Sequence, residues 1–412
     1  MITEVSYKPG QVIRSTISLP ASKSFSNRAL IIHAIGNLNS PIHNLSTSSD
    51  TVTLNNILSA PGTHVNAGDG GTTLRFLLAY FCLKGKEIIL DGSQSLKNRP
   101  VSELVNALKS IGANIEYLEE ENRLPLKIHS SKLQGGSISI SGETSSQFIS
   151  ALMMIAPYLD NGLQIEITGE ILSLPYIQMT KSVMEYFGVP VSFDNNIVRI
   201  NKGIYSNSEL HVEPDWSAAS YWYEFVALSE DATISLPGLK QLSLQGDCII
   251  ASMMERFGVS TRFDKSGAEI SKVKNFKLPE YFSADFTGCP DLGPAVAATC
   301  AGLNITADLI GLKNFRLKES DRAVALQREL YNMNVKTDFC GGSKFKVYEG
   351  NGMQLWNRPV NTYNDHRIAM AFAPLAVKTG KVLIDNARVV EKSYPQFFED
   401  LRLAGFTMNV KC

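Results

Sequence analysis

The chain has 412 residues, 44% apolar and 19% charged, with a net charge of −1 and a pI near 6.6. That balance excludes a disordered chain and lacks the basic surplus a nucleic-acid binder needs for phosphate contacts. It leaves room for a locally basic cleft offset by acidic surface, and the length suggests two or three domains.

At the N-terminus, MITEVSYKPG has no charged start followed by an apolar stretch, and no apolar run approaches the roughly 20 residues that span a bilayer. No membrane association is therefore expected. Six cysteines, Cys82, Cys248, Cys289, Cys300, Cys340 and Cys412, are scattered without C-x-x-C spacing. Reduced thiols in a cytoplasm are the simpler reading, with no disulfide framework and no cysteine-held metal.

The first charged segment is ISLPASKSFSNRALIIHAIG. Lys23, Ser24 and Arg28 follow a strand-like ISLP and precede an apolar run, so they sit near the start of a predicted helix. Cations there oppose the helix dipole, a conflict that a bound phosphate or carboxylate removes. Arg75 in GDGGTTLRF and Arg367 in NDHRIAM repeat the inversion. Three cases together suggest a cleft lined for anions. In the same loop as Arg75, Asp69 to Thr73 would let backbone approach a ligand closely through Gly70 and Gly71. It lacks the Gly-Lys-Ser/Thr ending of a nucleotide-binding loop. Further on, Ser145, Ser146 and Gln147 precede the helix FISALMMIA, where they can bind a ligand or simply cap the helix.

In the second half, Asp291 lies in CPDLGPAVAATCAG, an acid among small and apolar residues. Lys318, Glu319 and Arg322 fall in NFRLKESDRAVAL, where functional charges and ordinary helix ion pairs compete as explanations. Asp365 and Arg367 flank His366 in NDHRIAMAFAPLAV. A lone histidine is more often structural than catalytic, but these neighbours favour function.

A second pattern runs through the chain. LVNALKSIGANIEY, MTKSVMEYFGVPVSF, IIASMMERFGVSTRF, ALQRELYNMNVKTDF and FFEDLRLAGFTMNV each read as an amphipathic helix, a small turn residue and a strand. The turn residues are Gly112, Gly188, Gly258, Asn334 and Gly405, spaced by about 70 to 76 residues, and both types tolerate the left-handed conformation that closes a helix. TVTLNNILSAPGTHVNAG, with Gly62, reads as a degenerate sixth copy. Strand-like GSISISG, LQIEITG and ATISLPG lie between the copies. Each copy is then a βαβαββ-like unit, and six copies fit two domains of three.

LPASKSFSNRAL, GGTTLRF, NRPVSELVNALKSIGA, SSQFISALMM, LSLPY, VEPDWSAASY, CPDLGP, NFRLKESDR, NDHRIAM and EKSYPQFF together resemble, in order, the blocks of the 5-enolpyruvylshikimate-3-phosphate synthase family. The resemblance covers nearly the whole chain. It implies an α/β fold, a two-domain inside-out α/β barrel of six βαβαββ repeats, with domain I as 1–20 and 216–412 and domain II as 21–215. The active site would lie in the interdomain cleft.

The family's substrates are shikimate 3-phosphate and phosphoenolpyruvate. By resemblance the first is held by Lys23, Ser24, Arg28, Ser145, Ser146, Gln147, Ser173, Asp291, Asn314 and Lys318, with Tyr176 packed on the ring. The second is held by Lys23, Gly71, Arg99, Gln147, Arg322, Arg367 and Lys392. Asp291 is the implied base for the 5-hydroxyl, and Glu319 or Lys23 the donor of a proton to C3. No cofactor, metal, nucleic acid or membrane partner is implied, and the family expectation is a cytoplasmic monomer. In this family glyphosate occupies the phosphoenolpyruvate subsite, and Gly71 followed by Thr72 implies a sensitive enzyme.

Two departures stand out: Asp69 where the family commonly has Asn, and Pro214 where a small residue is more usual. The related UDP-N-acetylglucosamine enolpyruvyl transferases would carry a Lys-Asn pair in the first motif and a catalytic cysteine on a mobile loop. Here the pair is Lys23-Ser24, with no cysteine between Cys82 and Cys248. A non-catalytic anion-binding relative is disfavoured by Asp291, Glu319 and Lys392.

Overall fold

A computed structural model of the chain describes residues 2–411. The chain forms two compact units. The first joins the segment up to Pro20 with everything from Glu213 onward, and the second is Ala21–Val212. The crossing lies at Val212–Glu213 and not after Asp215, for local reasons. Asp215 caps the helix Trp216–Leu228, accepting from the Ala218 N–H at 2.9 Å. Gln245 of the same unit donates to Glu213 Oε2 at 3.1 Å and to the Pro214 carbonyl at 2.8 Å.

One supersecondary plan recurs, and the segment from Gly136 shows it whole. Strand Gly136–Ser141 leads through helix Ser146–Ile155 to the parallel strand Leu163–Thr168, with Ile138 opposite Ile165. Helix Leu174–Tyr186 then leads to a hairpin of Ser192–Asp194 and Ile197–Ile200, whose second strand pairs antiparallel with Leu163–Thr168. Buried residues alternate along these strands, as they do when one face covers a core. Three further four-stranded sheets repeat the order, starting from Val12–Thr16, His64–Asn66 and Tyr281–Asp285.

The fifth copy closes on the start of the chain. Val360 bridges Ile384 in parallel, and strand Ile2–Ser6 lies between Lys381–Asp385 and Thr407–Lys411. The sixth is cut short. Only Ile42–His43 and Leu210–His211 pair, in parallel, and the helix Ser49–Ser59 runs on to His64–Asn66, the first strand of the next sheet.

The five expected turn residues are all left-handed, at φ of 108° for Gly112, 85° for Gly188, 74° for Gly258, 66° for Asn334 and 87° for Gly405. Gly62 is not among the left-handed residues, which fits a copy whose helix leads into a different sheet. Each unit buries its own core, one around Trp222, Phe225 and Phe397, the other around Phe76, Phe148 and Phe187. Among the described residues no helix is long and apolar enough to cross a membrane.

Candidate active site

The repeat decides where the chemistry sits. Two parallel strands joined by a right-handed crossover leave their carboxyl ends side by side, where loops and helix starts can meet a ligand. Gly71 follows the strand His64–Asn66, and Arg99 follows its parallel neighbour Ile88–Asp91. Ser145, Ser146 and Gln147 follow Gly136–Ser141, and Ser173 follows Leu163–Thr168. In the other unit Asp291 follows Tyr281–Asp285, while Asn314, Lys318, Glu319 and Arg322 follow Thr306–Ile310. Arg367 comes after the Val360 bridge and Lys392 after Lys381–Asp385.

Within the second unit, the helices starting at Lys23, Gly71, Ser146 and Leu174 pack on one another. Lys23 is the first helical residue and its Nζ lies 3.0 Å from Asp50 Oδ2. Arg28 sits deeper, 1% exposed, so its side chain is not part of the helix's exposed start. Its guanidinium donates to Thr180 Oγ1 at 2.7 Å, the Ser24 carbonyl at 2.9 Å, Ser150 Oγ at 3.0 Å and the Tyr176 carbonyl at 3.2 Å. It also lies 5.4 Å from the Phe76 ring centre and 5.8 Å from that of Tyr176. Burial lowers its pKa to about 10.

A Cβ on Gly71 would come within 2.4 Å of Arg75 Nη1 and 2.6 Å of Arg99 Nη1, so the glycine admits two guanidinium groups at once. Asp69 accepts a hydrogen bond from Ser93 Oγ. Ser145 caps its helix, accepting from the Gln147 N–H at 3.3 Å, while Gln147 Oε1 is buried with no hydrogen-bond partner among the described residues. Ser173 is left-handed at φ 60° and buried, an unusual conformation for serine immediately before a helix.

In the first unit the candidates meet as a charge network around Arg322, which is 1% exposed. Arg322 donates through Nη1 to Asp291 at 2.9 Å, through Nη2 to Glu319 at 2.8 Å and through Nε to Asp365 at 2.8 Å. Asp291 is also 3.2 Å from Lys318 Nζ and 2.9 Å from Arg367 Nη2. Burial alone would push the Asp291 carboxyl up, but Arg367, Lys318 and Arg322 together hold it well below the usual carboxylate range. Lys318 and Glu319 lie on the turn before the helix Arg322–Asn332, not on a solvated helix face. Asn314 is buried nearby in chain, its Oδ1 without a hydrogen-bond partner among the described residues. Lys392 Nζ donates to the Asn364 carbonyl at 2.8 Å.

Sequence reasoning passed over Asp50 and Asp247. Asp50 follows the short strand Ile42–His43, and Asp247 follows Asp231–Pro237, the positions that bear functional candidates in the other copies. That repeat position was the available signal. Asp247 is 3% exposed, accepts from Ser217 Oγ, and is pushed up to about 7, first by burial and then by Asp291. Among the described residues no group of three or more His, Cys, Asp or Glu side chains stands ready to hold a metal.

Comparison with known proteins supplies the family. A sequence model described as EPSP synthase (3-phosphoshikimate 1-carboxyvinyltransferase) matches residues 7–69 and 54–401. A 3-phosphoshikimate 1-carboxyvinyltransferase of Bacteroides fragilis is 42% identical over 405 residues, covering 97% of both chains. One from Haemophilus influenzae is 33% identical over 430 residues, covering 96% of this chain and 98% of that one. An EPSP synthase structure from Acinetobacter baumannii superposes with a TM-score of 0.78 over 100% of both chains at 19% identity, which fixes the fold. The chain belongs to the EPSP synthase (3-phosphoshikimate 1-carboxyvinyltransferase) family.

Proposed function

We propose that this chain transfers the enolpyruvyl group of phosphoenolpyruvate to the 5-hydroxyl of shikimate 3-phosphate, releasing phosphate. The observation that carries the assignment of roles is Asp291, a carboxylate kept ionised by Arg367, Lys318 and Arg322. An ionised carboxylate amid cations can accept a proton while its neighbours bind the substrate anions.

In the addition step the 5-oxygen bonds to C2 of phosphoenolpyruvate, its proton passes to Asp291, and C3 gains a proton, giving a tetrahedral ketal. In the elimination step the C2–O bond to phosphate breaks with its electron pair, and C3 loses a proton to restore the double bond. Glu319 is the proposed donor at C3. Arg322 Nη2 donates to it at 2.8 Å, and an anion that binds Arg322 would compete for that donor and free the carboxyl to carry a proton. Lys23 is assigned to binding, its Nζ lying at the first turn of its helix, 3.0 Å from Asp50 Oδ2.

The remaining roles follow the same chemistry. Arg28, Ser145, Ser146, Gln147, Ser173, Asn314 and Tyr176 are assigned to shikimate 3-phosphate. Gly71, Arg99, Arg322, Arg367 and Lys392 are assigned to phosphoenolpyruvate. Neither step changes an oxidation state or needs a metal-bound nucleophile, and the reading takes the protein as a cytoplasmic monomer.

The test is phosphate release with each substrate alone and with both, the organic product being identified by mass. Release only with both, alongside a product of the enolpyruvyl ether's mass, is expected; release from phosphoenolpyruvate alone would refute the reading.

A further inference from the structure

We propose that Asp365 is a positioning residue that sets the two arginines assigned to phosphoenolpyruvate, Arg322 through its side chain and Arg367 through its backbone. The inference rests on the enolpyruvyl-transfer reading. It starts from a division of labour between the two oxygens of one carboxylate. Oδ1 caps the helix His366–Phe372, accepting from the Arg367 N–H at 3.0 Å, and lies 3.4 Å from Arg322 Nη2. Oδ2 accepts from Arg322 Nε at 2.8 Å and from Ser320 Oγ at 3.1 Å.

A helix cap alone would not call for this residue. Asn or Ser caps about as well as Asp, and a carboxylate with 0% exposure is costly unless a cation accompanies it. Arg322 has two other carboxylates, Asp291 and Glu319, on its Nη side. Those two are the groups assigned to proton transfer, so their bonds to Arg322 must loosen when substrate binds. Among the described residues Nε donates only to Asp365, so that side can stay fixed throughout the cycle. Asp365 therefore fixes the plane of a guanidinium whose outer donors are exchanged.

The backbone before Asp365 supports the same view independently. Tyr363 and Asn364 are consecutive left-handed residues, at φ 52° and 58°. For a tyrosine this conformation is strained and persists only where the surroundings enforce it. They do so here. Val360 is bonded to the strand Lys381–Asp385, Tyr363 Oη donates to Glu329 Oε1 at 2.7 Å, and the Asn364 carbonyl accepts from Lys392 at 2.8 Å. The strained segment thus delivers Asp365 to Arg322 and carries a bond from Lys392, a third cation assigned to the same substrate.

Asp365→Asn separates the roles. An amide has one acceptor oxygen, so capping the helix turns its NH2 toward Arg322 Nε–H, donor against donor. Hydrogen bonds to charged groups are worth about 1.5–3 kcal/mol, so the variant should raise KM for phosphoenolpyruvate roughly 10- to 100-fold. KM for shikimate 3-phosphate should stay within a few-fold. A purely structural role would lower the melting temperature and leave both KM values at wild type, or raise them equally; either result overturns the proposal. If Asp365→Asn does not fold, Ser320→Ala removes only the hydroxyl donated to Asp365. A selective rise in the phosphoenolpyruvate KM then supports the proposal and unchanged KM values refute it. A wild-type protein without turnover would sink the functional reading instead. In that case exchange of the Arg322 Nε–H decides: slow in wild type and fast in Asp365→Asn or Ser320→Ala if the proposal holds, equally slow in all if it does not.

Discussion

Two fully buried guanidinium groups, one in each unit, are held in opposite ways. Arg28 is surrounded by two hydroxyls, two backbone carbonyls and two aromatic rings, and among the described residues no carboxylate bonds to it. Arg322 donates to three carboxylates. Burial lowers the pKa of Arg28 to about 10, whereas Asp365, Glu319 and Asp291 more than offset burial and raise that of Arg322. The second unit thus holds a positive charge offset by dipoles and ring faces, while the first holds one offset by its own carboxylates. On the proposed function the difference separates a site that binds from a site that also moves protons.

The comparison breaks first at Asp291. Asp291→Ala should keep the fold and lose roughly 10²–10⁴-fold in turnover, the usual cost of removing a positioned base. Steady-state phosphate release near the wild-type rate would place the reactive surface elsewhere. The two arginines come next. Arg322→Met strands three carboxylates and should cost roughly 3–5 kcal/mol of stability, while Arg28→Met removes an uncompensated charge and should cost clearly less. Denaturant unfolding of both variants reads the difference, and equal losses would erase the contrast drawn here.

A third prediction sets Asp291 against Glu224, a carboxyl of the same unit with 0% exposure whose two oxygens have no hydrogen-bond partner among the described residues. Asp291 is held below its ordinary 3.8, so its contribution to stability is present above that value and fades as pH falls. Glu224 is pushed by burial well above its ordinary 4.5. Above pH 4.5 the unfolded chain releases this proton while the folded protein keeps it, so the unfolded state binds fewer protons and stability falls as pH rises. Wild type should therefore lose about 1.4 kcal/mol per pH unit relative to Glu224→Gln, starting near pH 4.5. Parallel stability curves for the two proteins between pH 5 and 7 would show that Glu224 is ionised in place.

The smallest effect is expected at Gly71. Gly71→Ala would bring a methyl to 2.4 Å from Arg75 Nη1 and 2.6 Å from Arg99 Nη1, so two cation heads must move. Overpacking of this kind costs roughly 1–3 kcal/mol, and it should fall more heavily on glyphosate, the longer ligand, than on phosphoenolpyruvate. Inhibition constants set beside the phosphoenolpyruvate KM decide it; equal losses would mean that the arginines, not the added bulk, govern both ligands.

Much of this was legible from residue types alone. Gly112, Gly188, Gly258, Asn334 and Gly405 marked the repeat because few side chains accept a left-handed turn, and the copies then located the sheets. Asp291 and Arg322 were visible as charges in apolar segments. Other features were hidden for physical reasons. Asp50, inside the first turn of a helix, looks like a favourable dipole partner until Lys23 is seen against it. The left-handed Ser173 gives no hint, because serine is not a residue that conformation selects. Glu224 did carry a signal, an acid within SYWYEFVAL, but no periodicity shows that both its oxygens lie unbonded in a core. The sixth copy was legible as degenerate, but its truncation was not, because Gly62 imitates a turn that the backbone does not make.

The strand Ile2–Ser6 lies between Lys381–Asp385 and Thr407–Lys411, and its consequence belongs to biosynthesis. A ribosome that has reached Val212 has already synthesised every strand and helix of the second unit, and elongation into the first unit brings the last of them out. The first unit cannot complete the sheet that holds Ile2–Ser6 until Thr407–Lys411 has emerged. Its opening strand must wait with unpaired edges, a condition that invites wrong partners and slows closure. The second unit should therefore gain protease protection on stalled nascent chains well before the first, with the N-terminal strand the last piece to be locked.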